Sequence, residues 1–217
     1  MKNISTIILA AGESKRINSN YSKIFHKLSD LSLIEHVYNT AFKISKNNIY
    51  IICNKKNIYQ IQQLLPKAKT IIQKKPLGTA DAVLCSKKFI PKNKRILILF
   101  GDVPLIKSKT IKNLIDKYKP INNFGSLLVF KAKNPFGYGR VITEKNIIKN
   151  ITEEVEANES IKKIKLCNSG IMFCNHKDLF KNLIKIKNQN IKKEKFITDI
   201  FDIAYNQNKA FTYSICD

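Results

Sequence analysis

Two loops carry the residues best suited to chemistry in this chain. One follows the apolar run Thr6-Ile-Ile-Leu-Ala-Ala and contains Gly12, Arg16 and, further on, Lys23. The other follows Ile96-Leu-Ile-Leu-Phe100 and opens with Gly101-Asp102. Glycine lets a backbone approach a ligand closely. The N–H groups of Ala11 and Gly12, together with the two cations, form a cradle suited to a polyphosphate. One carboxylate beside a polyphosphate suits Mg²⁺, which takes one or two carboxylates together with phosphate oxygens and water. Asp102 is that carboxylate. No Ser-His-Asp or Cys-His set is evident, and His26, His36 and His176 are isolated in the sequence.

Glycine is scarce, with seven in 217 residues. Average usage of about 7 % would give roughly twice as many. Gly78 sits in Gln73-Lys-Lys-Pro-Leu-Gly-Thr79, and Gly137 and Gly139 flank Tyr138 just before Arg140. Gly170 closes Asn168-Ser-Gly170, and Gly125 reads as a strand-entry turn. Arginine is scarcer still, at Arg16, Arg95 and Arg140. Two of these lie in the glycine segments, where a guanidinium can hold phosphate or carboxylate in a bidentate way that lysine cannot. Arg95 marks the entrance to a strand. The acidic run Glu153, Glu154 and Glu156 reads, taken alone, as a solvated face.

The elements that must position these residues are legible as alternating patterns. Strand-length apolar runs alternate with helical spacing in the first half, which predicts parallel βαβ units. Strands are expected at 5–10, 49–53, 70–73 and 96–100. A helix is expected where Leu33, Ile34, Val37, Tyr38, Ala41 and Phe42 recur at helical spacing. Others are expected at 58–65, from Thr79 as a cap, and after Ser108 as a cap. The second half predicts a strand at 126–130 and a hairpin of 140–143 with 147–151 around Glu144-Lys-Asn146. A strand at 170–174, helices at 177–186 and 197–206, and a closing strand at 211–215 follow. The whole, 1–217, reads as one α/β domain with a Rossmann-like, mainly parallel mixed sheet and helices on both faces. Numbering the first four strands in chain order, a 3-2-1-4 arrangement makes the first and fourth neighbours. The loops after Ala10 and Phe100 then face each other at the carboxyl ends of the strands, where open α/β sheets bind ligands.

Composition narrows the partners. Lys and Arg number 39 against 16 Asp and Glu, a net charge of +23. The lysines are spread along the chain with no dense arm and no aromatic-interleaved stripe. Lys, Ile and Asn are over-used together, as an A/T-rich codon bias produces. No nucleic-acid partner is therefore expected, and the positive field favours small anionic substrates. Five cysteines without C-x-x-C spacing read as free, buried thiols in a reducing, cytoplasmic location. No apolar stretch has transmembrane length, and the run 7–11 is too short for a signal-peptide core. No membrane partner is expected.

Taken in order, seven segments resemble the uridylyltransferase domain of bacterial N-acetylglucosamine-1-phosphate uridylyltransferases, usually the first half of a bifunctional enzyme. They are Leu9-Ala-Ala-Gly-Glu-Ser-Lys-Arg16, Ser22-Lys-Ile-Phe-His-Lys27, Gln73-Lys-Lys-Pro-Leu-Gly-Thr79, Phe100-Gly-Asp-Val-Pro-Leu105, Asn134-Pro-Phe-Gly-Tyr-Gly-Arg140, Asn168-Ser-Gly170 and Ile197-Thr-Asp-Ile200. The first is common to many nucleotidyltransferases. The fourth followed by the fifth is far more specific. The resemblance implies a nucleotide-diphospho-sugar transferase fold. It also implies Mg²⁺-dependent transfer of UMP from UTP to N-acetylglucosamine 1-phosphate, giving UDP-N-acetylglucosamine, a peptidoglycan precursor, and pyrophosphate. By the same resemblance, Ala11, Gly12, Gln73, Gly78 and Thr79 hold the uridine end of the nucleotide. Arg16, Lys23 and Asp102 are catalytic, with Asp102 on the metal. Gly139, Glu153, Asn168 and Thr198 hold the amino sugar.

The chain departs from that family pattern at four places. Ser14-Lys15 stand where a second glycine and a hydroxyl residue are common, and Phe196 stands where the family often has Tyr. The family's second metal ligand, an Asn after the last strand, falls beyond Asp217. The β-helix acetyltransferase half is not in the sequence, so the trimer it builds is not expected. The competing readings are a nucleotidyltransferase using CTP or another sugar or alcohol phosphate, a nucleotide-binding protein without turnover, and a nucleic-acid binder.

Overall fold

The computed structural model describes residues 3–12, 22–119, 123–187 and 194–216. β1 (Ile4–Leu9) is buried along its whole length, as a strand covered on both faces must be. A 3-10 turn at Lys23–Phe25 precedes a small hairpin of β2 (Lys27–Leu28) and β3 (Leu31–Ser32), which leads into α1 (Leu33–Ser45). Glu35 closes the first turn of α1. Its Oε2 accepts from the Ser32 backbone N–H at 2.8 Å and from the Ser32 hydroxyl, a capping box. The first half continues through β4 (Ile49–Cys53), α2 (Ile58–Leu64), β5 (Lys69–Ile72), α3 (Thr79–Leu84), β6 (Arg95–Phe100) and α4 (Ser108–Asp116). The second half comprises β7 (Asn123–Lys131), β8 (Arg140–Glu144), β9 (Ile147–Thr152), α5 (Glu159–Lys162), β10 (Leu166–Asn175), α6 (His176–Leu183), α7 (Asp199–Asn206) and β11 (Ala210–Ile215).

Among the described residues one sheet runs β5-β4-β1-β6-β10-β7-β11-β9-β8. Its first four strands are parallel and realise the expected 3-2-1-4 order. Then the direction changes. β10 enters antiparallel to β6 and pairs antiparallel with β7 on its other edge, while β11 lies parallel to β7. The β8–β9 hairpin forms where expected. It turns through Lys145 and Asn146 with φ of 49° and 63°, the left-handed pair that a tight two-residue turn requires.

Alternate residues of the central strands feed two cores, because strand side chains point to opposite faces. Ile7, Ile52 and Ile98 join Ala80 and Val83 of α3, Leu179 and Phe180 of α6, and Phe201 of α7. Ile8, Ile51 and Leu99 join Val37 and Ala41 of α1 and Ile111 and Leu114 of α4. Helices therefore cover both faces.

Three local expectations are corrected. Ser108 and Thr79 are the first residues of their helices rather than the caps, and the cap positions are Lys107 and Gly78. Gly125 is not a turn but lies inside β7. A Cβ there would stand 2.6 Å from the Phe211 ring and 2.7 Å from the Phe173 carbonyl oxygen, so it is glycine because β10 and β11 press against it.

Candidate active site

The heads of β1 and β6 lie side by side: the Gly101 N–H donates to the Leu9 carbonyl at 2.9 Å. Two asparagines after β4 fix the chain leaving β1. Asn57 Nδ2 donates to the Ala10 carbonyl at 2.8 Å, and Asn54 Nδ2 to the Ala11 carbonyl at 3.0 Å. Sequence reasoning passed over this pair. Its signal is two amides three residues apart just beyond the carboxyl end of a buried strand. Among the described residues Gly12 has no atom within 4 Å of where a Cβ would stand, which suits close approach of a ligand.

Lys23 and Asp102 meet at this point, with Nζ to Oδ2 at 3.1 Å and both side chains partly exposed. Arg16 lies outside the described residues. The described half of the expected phosphate cradle thus has one cation, one carboxylate and an open glycine. Among the described residues no three His, Cys, Asp or Glu side chains converge to hold a metal by themselves.

The second group gathers around Gln73, which follows β5 and continues its ladder by donating N–H to the Cys53 carbonyl at 2.8 Å. Its side chain is nearly buried. Nε2 donates to Asp81 Oδ2 at 2.8 Å and to the Gly78 carbonyl at 3.1 Å. Gly78 has φ of 108°, and a Cβ on it would come within 2.5 Å of the Lys195 carbonyl oxygen. The cause is a strap. Lys195 N–H donates to the Leu77 carbonyl at 2.8 Å, and Ala80 N–H donates to the Lys195 carbonyl at 2.9 Å. Ile197 N–H donates to Thr79 Oγ1 at 2.9 Å. The Thr79 hydroxyl, expected to cap its own helix, instead receives the strap.

The next residue of that strap, Thr198, opens the third group. Its hydroxyl donates to Glu153 Oε1 at 3.1 Å. A Cβ on Gly139 would lie 3.2 Å from the Ile151 Cγ2 methyl and 3.4 Å from the Glu153 carboxylate, so the glycine packs directly against both side chains. Asn168 N–H donates to the Gly139 carbonyl at 2.9 Å. The structure therefore brings Gly139, Glu153, Asn168 and Thr198 together. Gly170 N–H donates to Asn168 Oδ1 at 2.7 Å, which turns the amide so that its N–H₂ remains for another partner. Gly170 has φ of 79°, and a Cβ there would come within 2.5 Å of the Phe100 ring. β10 shifts register between Asn168 and Met172. That bulge places Asn168 while leaving room for the residue that leads β6 into Asp102.

Arg140 has a different task from a phosphate-binding arginine. It is 1 % exposed, its Nη2 lies 2.7 Å from Glu154 Oε2, and its Nη1 donates to the Tyr138 carbonyl. The same Glu154 oxygen accepts from Gly137 N–H at 3.0 Å. Arg140 and Gly137 together hold the Glu154 carboxyl below the usual carboxylate range. Glu154 thereby ties the Gly137–Gly139 loop to β8 and is partly covered, while Glu156 stays exposed. Arg95 begins β6 as expected and stacks on Phe173 at 5.7 Å. Asp199 follows Thr198 as the first residue of α7. Burial, then the neighbouring Glu156, Glu153 and Asp202, push its carboxyl up to about 6. The cysteines form no disulfide with one another, and burial pushes the Cys53 thiol up to about 11 and that of Cys174 higher still. No helix among the described residues is long and apolar enough to cross a membrane.

Comparison with known proteins bears on the family and the fold. Residues 5–216 match the model of the family described as nucleotidyl transferase. The chain is 38 % identical over 213 residues to the bifunctional protein GlmU of Thermosipho africanus, covering 98 % of this chain and 46 % of the relative. It is 40 % identical over 212 residues to the bifunctional protein GlmU of Buchnera aphidicola subsp. Schizaphis graminum, covering 96 % of this chain and 45 % of the relative. The chain thus spans a little under half the length of these relatives. A structure from Bacillus anthracis, described as a putative glucose-1-phosphate thymidylyltransferase with sucrose bound, superposes with a TM-score of 0.78. It covers 99 % of this chain and 87 % of its own at 18 % identity, which speaks to the fold. The doubly wound half and the family match over nearly the whole length lead to one conclusion: the chain belongs to the nucleotidyl transferase family.

Proposed function

We propose that this chain transfers UMP from UTP to N-acetylglucosamine 1-phosphate, giving UDP-N-acetylglucosamine and pyrophosphate. The observation that carries the reading is the strap at 195–198. It joins the Gln73–Thr79 group to the Gly139–Glu153–Asn168 group within four residues. One group suits a base and the other a polyhydroxylated, amide-bearing ring. Glu153 can accept from sugar hydroxyls, and the Asn168 amide can donate.

The attacking phosphate monoester has its second ionisation near pH 6, so at neutral pH it needs no strong general base. The reaction is an in-line attack by its oxygen on the α-phosphorus, with the bond to the β-phosphate breaking and pyrophosphate leaving. Catalysis is then positioning and charge neutralisation. The Ala11 and Gly12 backbone receives the phosphates, and Lys23 and Arg16 offset the charge that grows on the leaving group. Asp102 offers Mg²⁺ a hard oxygen at the head of β6. Among the described residues Asp102 is the carboxylate at this point, and phosphate oxygens and water would complete the coordination that Mg²⁺ prefers. When bound, the ion supplies further neutralisation of the phosphate charge.

The test is pyrophosphate release measured over a matrix of nucleoside triphosphates and sugar phosphates. The highest kcat/KM is expected for UTP with N-acetylglucosamine 1-phosphate. No release with that pair would overturn the proposal.

A further inference from the structure

Asp81 takes no part in any of the three groups as a ligand-facing residue, yet it touches the one side chain that would read the base. The Gln73 carboxamide has two N–H donors and one carbonyl acceptor. Both of its Nε2 partners, the Asp81 carboxylate at 2.8 Å and the Gly78 carbonyl at 3.1 Å, are acceptors. Neither can donate. Turning the amide over would set Oε1 against two oxygens and leave both donors without these partners, in a side chain that is only 8 % exposed. The orientation is therefore forced by chemistry. Oε1, an acceptor, is the polar atom left for a ligand.

We infer that Asp81 is a specificity-determining positioning residue: by fixing the Gln73 amide with Oε1 outward, it selects a base whose ring nitrogen carries hydrogen. Uracil and thymine have N3–H and donate to Oε1. Cytosine has a bare N3, whose lone pair would face the Oε1 lone pairs. Unsatisfied or opposed polar groups in a desolvated pocket discriminate far better than a missing methyl group does. Asp81 lies on α3, two residues beyond Thr79, so the lock and the loop it serves are part of one turn of chain. The inference rests on the proposed nucleotide reading and deepens it.

The experiment measures kcat/KM for UTP, dTTP and CTP, with N-acetylglucosamine 1-phosphate, for the full chain and for Asp81→Asn. The carboxamide introduced there can donate as well as accept, so of the two oxygens that oppose a turned Gln73 amide only the Gly78 carbonyl remains. The UTP-to-CTP ratio is expected to fall about tenfold or more, while the UTP-to-dTTP ratio stays within about twofold. Calorimetric binding of UTP and CTP should show the same change in ratio. Asp81→Ala serves if the Asn variant does not fold. It leaves the Gly78 carbonyl as the single anchor and should lower the ratio by a smaller factor. An unchanged UTP-to-CTP ratio in a folded variant that turns over UTP would overturn the role of Asp81 and leave the transferase reading intact. Absence of turnover and binding with all three nucleotides in the unaltered chain would instead remove the reading on which the inference rests.

Discussion

Lys23 and Asp102 lie 3.1 Å apart, joining the loop before α1 to the carboxyl end of β6. Both side chains are partly exposed, 46 % and 38 %. An ion pair this exposed contributes about 0–1 kcal/mol to stability. The pairing therefore says more about where charge is wanted than about how the fold is held.

The first prediction separates these roles. Asp102→Ala and Lys23→Ala should each unfold in urea within about 1 kcal/mol of the unaltered chain. Each should lower pyrophosphate release by about 10²-fold or more, as loss of a group that stabilises transition-state charge does. Full activity in Asp102→Ala would refute its assigned place at the phosphates.

Two glycines should respond oppositely. Gly170→Ala places a methyl 2.5 Å from the Phe100 ring at a φ of 79°, combining overpacking with a left-handed backbone. A loss of about 2–4 kcal/mol in denaturant unfolding is expected. Gly12→Ala meets nothing within 4 Å among the described residues, so stability should change by less than about 0.5 kcal/mol while UTP affinity falls.

Thr198→Val removes the hydroxyl that donates to Glu153 and keeps the shape. The KM for the sugar phosphate should rise about tenfold, the effect of one lost hydrogen bond of about 1.4 kcal/mol. The KM for the nucleotide should stay within about twofold. Equal increases in both would show that the variant disturbs the strap and not the sugar wall alone.

The Asp199 carboxyl is raised to about 6 by burial and acidic neighbours, against about 3.9 in an unfolded chain. A raised carboxyl binds protons more tightly when folded. Its contribution is fully present below about pH 4 and is lost as pH rises through about 6. Asp199→Asn should therefore stabilise the protein by about 1–2 kcal/mol at about pH 7.5. A few tenths of that are offset by removing a negative charge from the first turn of α7. The gain should vanish near about pH 4. A stability difference that does not depend on pH would contradict the assigned burial.

The parallel half of the fold was legible because its central strands β1, β4 and β6 are largely apolar and buried, and βαβ connections leave few ways to arrange them. The insertion of β10 between β6 and β7 was not legible, since a run such as Gly170–Cys174 carries no mark of direction. The bulge at Gly170 was hidden for the same reason: its cause is the Phe100 ring, distant in sequence. The partner of Arg140 was equally invisible. A guanidinium in a glycine-rich loop fits phosphate and carboxylate equally well, and only the packing of Glu154 against it decides. In the candidate site, Gly139, Glu153, Asn168 and Thr198 were named through resemblance, and the structure brings them together. Asn54, Asn57 and Asp81 were missed because they act on neighbouring chain rather than through a motif.

The placement of β10 also sets an order of assembly. β6 ends at Phe100, whereas its second neighbour begins at Leu166. Until that later segment has emerged, the Arg-Ile-Leu-Ile-Leu-Phe strand has one bare edge of unpaired backbone and apolar side chains, the combination most prone to pair with another chain. The nascent protein is thus at greatest risk of aggregation with its first half complete. Its safeguard is the abundant positive charge that the same stretch of chain displays to solvent.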